Sequence, residues 1–483
     1  MTAGLWTAFE AAAATGGALC ARGGDPDRWI AEEWAAGGLS IDTRTLAPGE
    51  MFVALSDARD GHEFINSAFE RGASAALVAR APENAPDGAP LLIVRDTLEG
   101  LRDLARAARL RNFGKRIAVT GSVGKTSTKE MLRAAFSGLG RVHASDKSFN
   151  NHWGVPLTLA RMPIDSDFGI FEIGMNHAGE ITPLTRLVAP HVAIVTTVAP
   201  AHLEFFGTVE KIAEAKSEIF LGAPNGGAAI LPIDNAHYPL LRKRAEEAGV
   251  ARILSFGESK DADVRLTSYR GDGARAEISA SVFGETLEFA LDAPGRHQAM
   301  NSLAVIAAAR ALGQSAARAC AGLAGLGAAA GRGAQARVRL ASGAEIILID
   351  ESYNANPTSM AAAFAVLAQT KPKSGGRRIA VLGQMLELGP QGPALHAGLA
   401  EPLLAAGVDA LYVAGALMDH LWEKTPPAIR AGRAEAARAL SPVILDALKD
   451  GDIVMVKGSN GSKVSEIVAA IKAAAVEGRQ KEK

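Results

Sequence analysis

The stretch Ile117-Ala-Val-Thr-Gly-Ser-Val-Gly-Lys125-Thr126-Ser127-Thr128 decides the fold of this chain. Its apolar start predicts a buried strand, and its hydroxyl-bearing end predicts the start of a helix. Between them, Gly121 and Gly124 permit a tight turn with exposed backbone N–H groups, which bind phosphate together with a helix N-terminus. In such a loop Lys125 reaches the outer phosphates, and a threonine or serine hydroxyl holds Mg²⁺.

The loop is shorter than the general P-loop pattern. That pattern has glycine five residues before Gly124, where this chain has Val119, so the form Gly-x-x-Gly-Lys-Thr remains. A plain strand-to-helix turn is the alternative interpretation. The candidate nucleotide-binding residues are Gly121, Ser122, Val123, Gly124, Lys125, Thr126 and Ser127.

Composition excludes several classes of protein. A length of 483 residues with 48% hydrophobic residues allows about three domains. The net charge of −1 and the lack of a basic block argue against a nucleic-acid partner. Cys20 and Cys320 are too few for a disulfide framework, and no run of 18 apolar residues predicts a membrane span. We expect a soluble cytoplasmic protein.

The chain divides into three α/β blocks, with predicted boundaries of 1–113, 114–334 and 335–483. The first begins with a predicted helix whose apolar side holds Leu5, Phe9 and Ala12. Its later loops carry polar groups suited to a ligand, namely Thr43, Arg44 and His62, although ordinary surface loops would also carry them.

Two apolar strands of the second block end in polar residues. Glu172 lies near the end of one, and His202 follows the next. Ligands of parallel sheets sit beyond the carboxyl ends of the strands, so both should approach the phosphate loop as Mg²⁺ ligands. A helix cap and a loop residue are the alternatives. Asn150 and Asn151 offer either turn chemistry or amide groups for a polar ligand.

Lys216 is predicted to face inward. On the helix Val209 to Leu221, at 100° per residue, it shares a stripe with Ile212 and Ile219. Burial lowers the pKa of an unpaired ammonium, and a neutral amine reacts with CO₂ to form a carbamate that binds metal. The alternatives are a snorkelling lysine and a buried ion pair.

The remaining sequence alternates strands and helices. Residues 264–292 predict antiparallel hairpins, and the segment from His297 to Asn301 opens a helix whose polar face suits a base or simply a first-turn cap. In the third block, strands end in polar loops, one of which runs from Asp350 to Pro357. The charged end Gly478 to Lys483 is predicted to be frayed.

Over nearly its whole length the chain resembles the Mur ligase family. The phosphate loop, the Glu172 strand, His202, the Lys216 helix and the segment His297 to Asn301 carry this likeness. Further motifs are similar to those of members that join D-alanyl-D-alanine to UDP-N-acetylmuramoyl-tripeptide: Asn150-Asn151-x-x-Gly154-Val-Pro156, Glu172-Ile-Gly-Met-Asn176, Asp350-Glu-Ser-Tyr-Asn-Ala-Asn-Pro357 and Val381-Leu-Gly-x-Met-x-Glu-Leu-Gly389.

The resemblance implies a small UDP-binding α/β domain, a central P-loop ATPase domain with a mostly parallel sheet, and a Rossmann-like C-terminal domain that closes on hinges. It also implies a carbamylated Lys216 and nucleotide contacts by Asn301, Arg332 and either Asp350 or Glu351. Gln298 stands where the family usually has Asn, and Glu351 where Asp is common. The implied substrate contacts are Thr43, Arg44, His62, Asn150, Asn151, Asn176, Tyr353, Asn354 and Asn356.

The implied activity is an ATP-dependent amide ligation through an acyl phosphate, catalysed by a monomer. Lys125 and two Mg²⁺ ions would offset the repulsion between nucleotide and carboxylate. Thr126 and Glu172 would hold one ion, and His202 with carbamylated Lys216 the other. Alternatives are a ligase that extends folate with glutamate, disfavoured by the loop from Asn354 to Pro357, a kinase, and a non-catalytic ATP-driven switch.

Overall fold

In a computed structural model, residues 4–21 and 34–475 of the chain are described, so the predicted frayed end lies outside these ranges. The first part of the chain contains β1 (Trp6–Thr7), α1 (Ala8–Thr15), β2 (Ala18–Ala21), β3 (Ala35–Ala36), β4 (Gly38–Ser40), β5 (Glu50–Val53), α2 (Ile65–Glu70), β6 (Ala75–Val78), β7 (Pro90–Ile93) and α3 (Thr97–Arg111). Its sheet has the order β2-β7-β6-β5-β4, in which only β2 runs antiparallel to its neighbour.

The central part holds the phosphate loop. Its elements are β8 (Lys115–Thr120), α4 (Lys125–Ser137), β9 (Val142–Ala144), α5 (Gly154–Ala160), β10 (Phe168–Glu172), α6 (Ile181–Val188), β11 (Val192–Val195), α7 (Leu203–Phe206), α8 (Val209–Ser217), β12 (Ala228–Pro232), α9 (Tyr238–Glu247), β13 (Arg252–Gly257), β14 (Val264–Gly271), β15 (Ala276–Val282), β16 (Glu285–Leu291), α10 (Arg296–Ala311) and α11 (Ala316–Leu323).

The order of the central sheet is β16-β15-β14-β13-β12-β11-β8-β10-β9. Strands β8 to β14 pair in parallel, and β14 to β16 form the predicted antiparallel hairpins. Strand β8 lies between β10 and β11, so the chain leaves it first to one side and then to the other. This reversal opens a crevice at the carboxyl ends of the three strands, where ligands bind in such sheets.

The last part contains β17 (Ala334–Arg339), β18 (Glu345–Glu351), α12 (Pro357–Gln369), β19 (Arg378–Gly383), α13 (Gly392–Ala397), α14 (Ala400–Ala405), β20 (Ala410–Ala414), α15 (Asp419–Lys424), β21 (Arg430–Ala434), α16 (Ala437–Ala447), β22 (Ile453–Lys457) and α17 (Ser465–Ala473). The sheet order is β17-β18-β22-β19-β20-β21, parallel except for β17. The predicted α/β class with mostly parallel sheets is confirmed, whereas the residue boundaries of the three blocks stay predictions.

The phosphate-loop strand is buried on both faces, as expected of a central parallel strand. Ile117 and Val119 pack into one apolar cluster with residues of α4 and α10, and Ala118 packs into another on the opposite face. The side predicted for α1 is wrong in part: Phe9 is 62% exposed, while Ala8 and Ala11 are buried where α1 packs on α3. No helix in the described ranges is long and apolar enough to cross a membrane.

One buried amide holds the junction between the first and central parts. Asn112 follows α3, is 3% exposed, and places its Nδ2 within 3.1 Å of the carbonyl oxygens of Pro163, Ile164 and Ser166. Its Oδ1 accepts a hydrogen bond from the backbone N–H of Gly114. Four backbone groups therefore depend on one side chain.

Asn112→Ala should lower the thermal unfolding midpoint, because it leaves buried backbone groups without partners. The expected loss of about 2–3 kcal/mol corresponds to a shift of roughly 5–10 °C, measured by differential scanning fluorimetry. Asn66→Ala is the matched control, since Asn66 is exposed and bonds only the side chain of Glu70. Equal shifts in the two variants would contradict the role assigned to Asn112.

Candidate nucleotide and metal site

The phosphate loop has the conformation that its glycines predict. Gly124 lies at φ 86°, and a Cβ there would lie 2.7 Å from Asn301 Oδ1. Helix α4 begins at Lys125, whose Nζ donates to the carbonyl oxygen of Gly121 at 2.8 Å. Burial holds the pKa of the Lys125 ammonium below its ordinary value, an effect that the nearby Glu172 carboxylate opposes. The loop thus presents a helix N-terminus and a cation to the same crevice.

Glu172 lies beside the loop, at the end of β10. Its carboxylate is buried, with a residue exposure of 2%, and accepts hydrogen bonds from Thr126 Oγ1 at 2.9 Å and Asn150 Nδ2 at 2.8 Å. A carboxylate and a hydroxyl in contact are oxygen ligands of the kind Mg²⁺ takes when phosphates and water complete its shell. The described residues include no cluster of three or more His, Cys, Asp or Glu suited to a metal.

His202 reaches the crevice from the loop after β11. Its backbone is left-handed, with φ 56°, and its side chain lines the same cavity. Its Nδ1 lies 2.5 Å from Glu387 Oε2, a carboxylate oxygen of the last part of the chain, but the two atoms lack the alignment of a hydrogen bond. Contact with His202 holds the pKa of the Glu387 carboxyl below its usual range.

Lys216 faces inward on α8, as its helical position predicts. The residue is 2% exposed, and its Nζ forms no hydrogen bond or ion pair with any residue the structure describes. Burial, reinforced by the charge of Lys125, holds the pKa of Lys216 well below its ordinary value. These observations disfavour both the snorkelling lysine and the buried ion pair, and they favour a neutral amine.

A cavity of about 510 Å³ between the central and last parts of the chain is lined by Lys125, Glu172 and His202, whereas Lys216 is not among its lining residues. Asn301 and Gln298 of α10 form one wall, together with Phe256 at the end of β13. Asn301 Nδ2 lies 3.3 Å from Gln298 Oε1, so the departure at Gln298 still supplies an amide partner. Asn176 also lines this cavity.

The opposite wall comes from the last part. Arg332 stacks its guanidinium 4.2 Å from the ring centre of Tyr353, and Asn354 lies beside them. Lys457, which is 1% exposed, donates from Nζ to Glu351 Oε2 at 3.2 Å and to the carbonyl oxygen of Asn354 at 3.0 Å. Lys457 was not among the residues predicted from the sequence. It could have been found by the signal that identified Glu172, because both residues stand at the carboxyl end of an apolar strand.

The sequence left open whether Asp350 or Glu351 contacts the nucleotide, and the two side chains lie in different surroundings. Glu351 lines the cavity, whereas Asp350 accepts hydrogen bonds from the N–H of Gly331 and from Ser352 Oγ. We therefore assign Asp350 to holding the loop that carries Arg332.

Several predicted substrate residues have other uses. Asn356 Oδ1 caps α12 by accepting from the Ser359 N–H, and Asn151 Oδ1 accepts from the Gly154 N–H. His62 is buried, with Nδ1 on Asp60 Oδ1 at 2.7 Å and Nε2 accepting from the Ala79 N–H at 3.0 Å. These three side chains therefore have structural uses within the fold, and their predicted contact with a substrate stays a prediction.

Thr43 and Arg44 lie in the first part of the chain and do not line this cavity. The Arg44 side chain is 84% exposed and pairs with the neighbouring Asp42 carboxylate at 2.7 Å. Their predicted contact with a substrate stays a prediction.

Comparison with known proteins identifies the family. The Mur ligase middle domain matches residues 119–309, and the Mur ligase glutamate ligase domain matches residues 336–460. The UDP-N-acetylmuramoyl-tripeptide–D-alanyl-D-alanine ligase of Escherichia coli K12 is 34% identical over 90% of this chain and 93% of its own. The ligase of the same name from Rickettsia prowazekii is 32% identical, over 89% of this chain and 94% of its own.

Solved structures agree. MurF from Acinetobacter baumannii superposes with a TM-score of 0.82 at 28% identity, covering 97% of this chain and 99% of its own. MurF ligase from Thermotoga maritima, solved in complex with ADP, has a TM-score of 0.75 at 26% identity and covers 90% of this chain and 97% of its own. On sequence and on structure, over most of its length, this chain belongs to the Mur ligase family.

Proposed function

We infer that the chain is an ATP-dependent ligase that joins D-alanyl-D-alanine to UDP-N-acetylmuramoyl-tripeptide in the synthesis of peptidoglycan precursors. The observation that carries this inference is the agreement between named relatives over nearly their whole length and a cavity built around a phosphate loop and a buried carboxylate. We propose that residues 1–113 hold the UDP moiety through Thr43 and Arg44, that 114–334 bind ATP, and that 335–483 close over it.

The chemistry requires two transfers. An oxygen of the tripeptide's terminal carboxylate attacks the γ-phosphorus of ATP. The bond between that phosphorus and the bridging oxygen of the β-phosphate breaks, so that ADP departs and an acyl phosphate is formed. The amine of D-alanyl-D-alanine then attacks the acyl carbon, gives up a proton, and expels phosphate to form the amide. Lys125 would stabilise the phosphate charge, and a closed cavity would keep water from the acyl phosphate.

Thr126 and Glu172, which are in contact, fit one Mg²⁺ ion. We propose that His202 with a carbamylated Lys216 would hold a second ion, through oxygen atoms and one imidazole nitrogen. Bound there, Mg²⁺ would neutralise negative charge on the phosphates as the carboxylate approaches. The carbamate forms when the neutral Nζ of Lys216 attacks CO₂ and releases a proton. Burial without a partner favours the neutral amine that this reaction requires, and the bound cation would balance the negative charge of the carbamate.

The opposite wall would complete the nucleotide site. Arg332, Glu351 and Lys457 line the cavity beside Tyr353, where they would meet the nucleotide once the domains close. Asn301, Gln298 and Phe256 suit the base because they offer amides beside an aromatic face. Asn150, Asn176 and Asn354 remain candidates for the substrate. A monomer acting in the cytoplasm, where ATP is available, completes the proposal.

Release of ADP tests the function. With ATP, Mg²⁺ and UDP-N-acetylmuramoyl-tripeptide, in separate diaminopimelate and lysine forms, addition of D-alanyl-D-alanine should raise ADP release, and the product mass should increase by the dipeptide less water. ADP release that does not depend on the dipeptide would indicate an ATP-driven switch. Turnover with a reduced folate and glutamate instead would indicate the folate-extending alternative.

Gly124→Ala should weaken ATP binding at least about tenfold, because alanine is strained at positive φ and its Cβ would press on Asn301 Oδ1. Calorimetric titration with a non-hydrolysable ATP analogue and Mg²⁺ measures the change. Gly138→Ala at the end of the same helix is the control, since its φ is −78° and nothing lies within 4 Å of a Cβ there. Unchanged affinity in Gly124→Ala would refute the phosphate-loop assignment.

Lys216→Ala should reduce ligation at least about 100-fold, because it removes the anion proposed to hold the second ion. Short carboxylic acids such as acetate should restore part of the activity by supplying a carboxylate in the vacated space. Lys211→Ala, on the exposed side of the same helix, should retain nearly full turnover. If Lys216→Ala is fully active, the carbamate role is excluded.

A further inference from the structure

The contact between His202 and Glu387 joins two domains at the edge of the cavity. His202 belongs to the central part and Glu387 to the last part of the chain, and Nδ1 lies 2.5 Å from Oε2. The Glu204 N–H donates to the Glu387 carbonyl oxygen at 3.1 Å, and Gln391 Nε2 donates to the Gly207 carbonyl oxygen at 3.5 Å. The segment 202–207 therefore docks on the segment 387–391.

Both partners of this contact have an unfavourable backbone. His202 has φ 56° and Glu387 has φ 63°, a region that residues other than glycine rarely adopt. Such conformations persist where the surrounding structure imposes them, and they concentrate at functional sites. The strained backbone at both His202 and Glu387 therefore suggests that their contact serves the site rather than local stability.

The short distance also bears on where the imidazole proton lies. Nδ1 of His202 and the Glu387 carboxylate lack hydrogen-bond alignment in the structure, but an unprotonated Nδ1 would be repelled by a carboxylate oxygen 2.5 Å away, so the contact favours a proton on Nδ1. In the neutral ring the other nitrogen, Nε2, is then unprotonated. Nε2 bonds no protein atom among the described residues, and the ring lines the cavity, so its lone pair is available to a cation. A carboxylate behind a metal-binding imidazole fixes ring orientation and tautomer in this way.

We propose that Glu387 is a positioning residue for the ligation: it fixes the tautomer and direction of His202, and it does so only when the C-terminal domain is docked. The proposal rests on the proposed function, in which His202 holds the second ion. A docked C-terminal domain would thus complete the catalytic site with a group that never touches the substrate. Docking of the C-terminal domain would therefore itself orient the His202 imidazole for the cation.

The tautomer is measured on the unliganded full-length protein. Long-range proton–nitrogen spectra of protein labelled with ¹⁵N-histidine report which ring nitrogen is protonated, and His202→Gln identifies the His202 signals. Wild type should show Nδ1–H, whereas Glu387→Ala should shift His202 toward the Nε2–H form common in free imidazole. Glu387→Gln, whose amide oxygen still accepts, should retain part of the Nδ1–H form.

Kinetics provides the second readout. Glu387→Ala should lower kcat about 10–100-fold while the KM for ATP changes less than about threefold, because the phosphate loop is untouched. Glu387→Gln should recover part of the loss. Glu204→Ala, which removes an exposed carboxylate and keeps the backbone N–H that bonds Glu387, should leave both constants nearly unchanged. In a His202→Gln background, Glu387→Ala should have less than about a twofold further effect.

Two results would overturn the proposal. One is an unchanged His202 tautomer in Glu387→Ala, and the other is an equally large kcat loss when His202 is already replaced, which would mean that Glu387 only holds the domains together. Because the spectra need neither substrate nor metal, they decide the role of Glu387 even if wild-type protein shows no dipeptide-dependent ADP release.

Discussion

The structure depends on a carboxylate buried where phosphate is to bind. Glu172 lies at the end of β10, within hydrogen-bond distance of Thr126 on the phosphate loop, and a triphosphate in that loop would meet it closely. Like charges at short range in a poorly hydrated crevice repel strongly. Such a site functions only with fixed positive charge around it, and the nearby Lys125 ammonium and the proposed cations supply that charge.

Two mostly parallel sheets bring charged groups to the site from opposite sides. The central sheet brings the phosphate loop, Glu172 and His202 to one edge, because β8, β10 and β11 are neighbours that all run in the same direction. The last sheet places Glu351 and Lys457 at the carboxyl ends of β18 and β22, facing the same cavity. The charges of both halves thus line one cavity, and excluding water from such a cavity strengthens the electrostatic interactions within it.

The features that could be predicted from the sequence are those that hydrophobic periodicity and strand direction determine. Apolar runs located the strands, and the carboxyl-end rule located Glu172 and His202. The sequence did not predict the hydrogen bonds that His62, Asn151 and Asn356 make within the fold, because an amide or imidazole after a turn serves equally as a cap or a ligand. The distinction depends on partners such as the Ala79 N–H, seventeen residues from His62, which sequence order does not bring near. Lys457 was missed because a lysine ending an apolar strand resembles ordinary surface charge.

The second cation position depends even more on tertiary structure. Helical periodicity placed Lys216 on the inward stripe. Its chemistry, however, depends on the lack of a carboxylate partner among the residues described around it, which is a property of the surrounding elements rather than of α8. His202 depends in the same way on Glu387, which lies on another domain. Neither group is a good metal ligand in the unfolded chain, where the lysine is a hydrated cation and the imidazole exchanges tautomers. Folding and domain docking would convert both into ligands, so the charge balance around Glu172 is set by assembly of the whole chain.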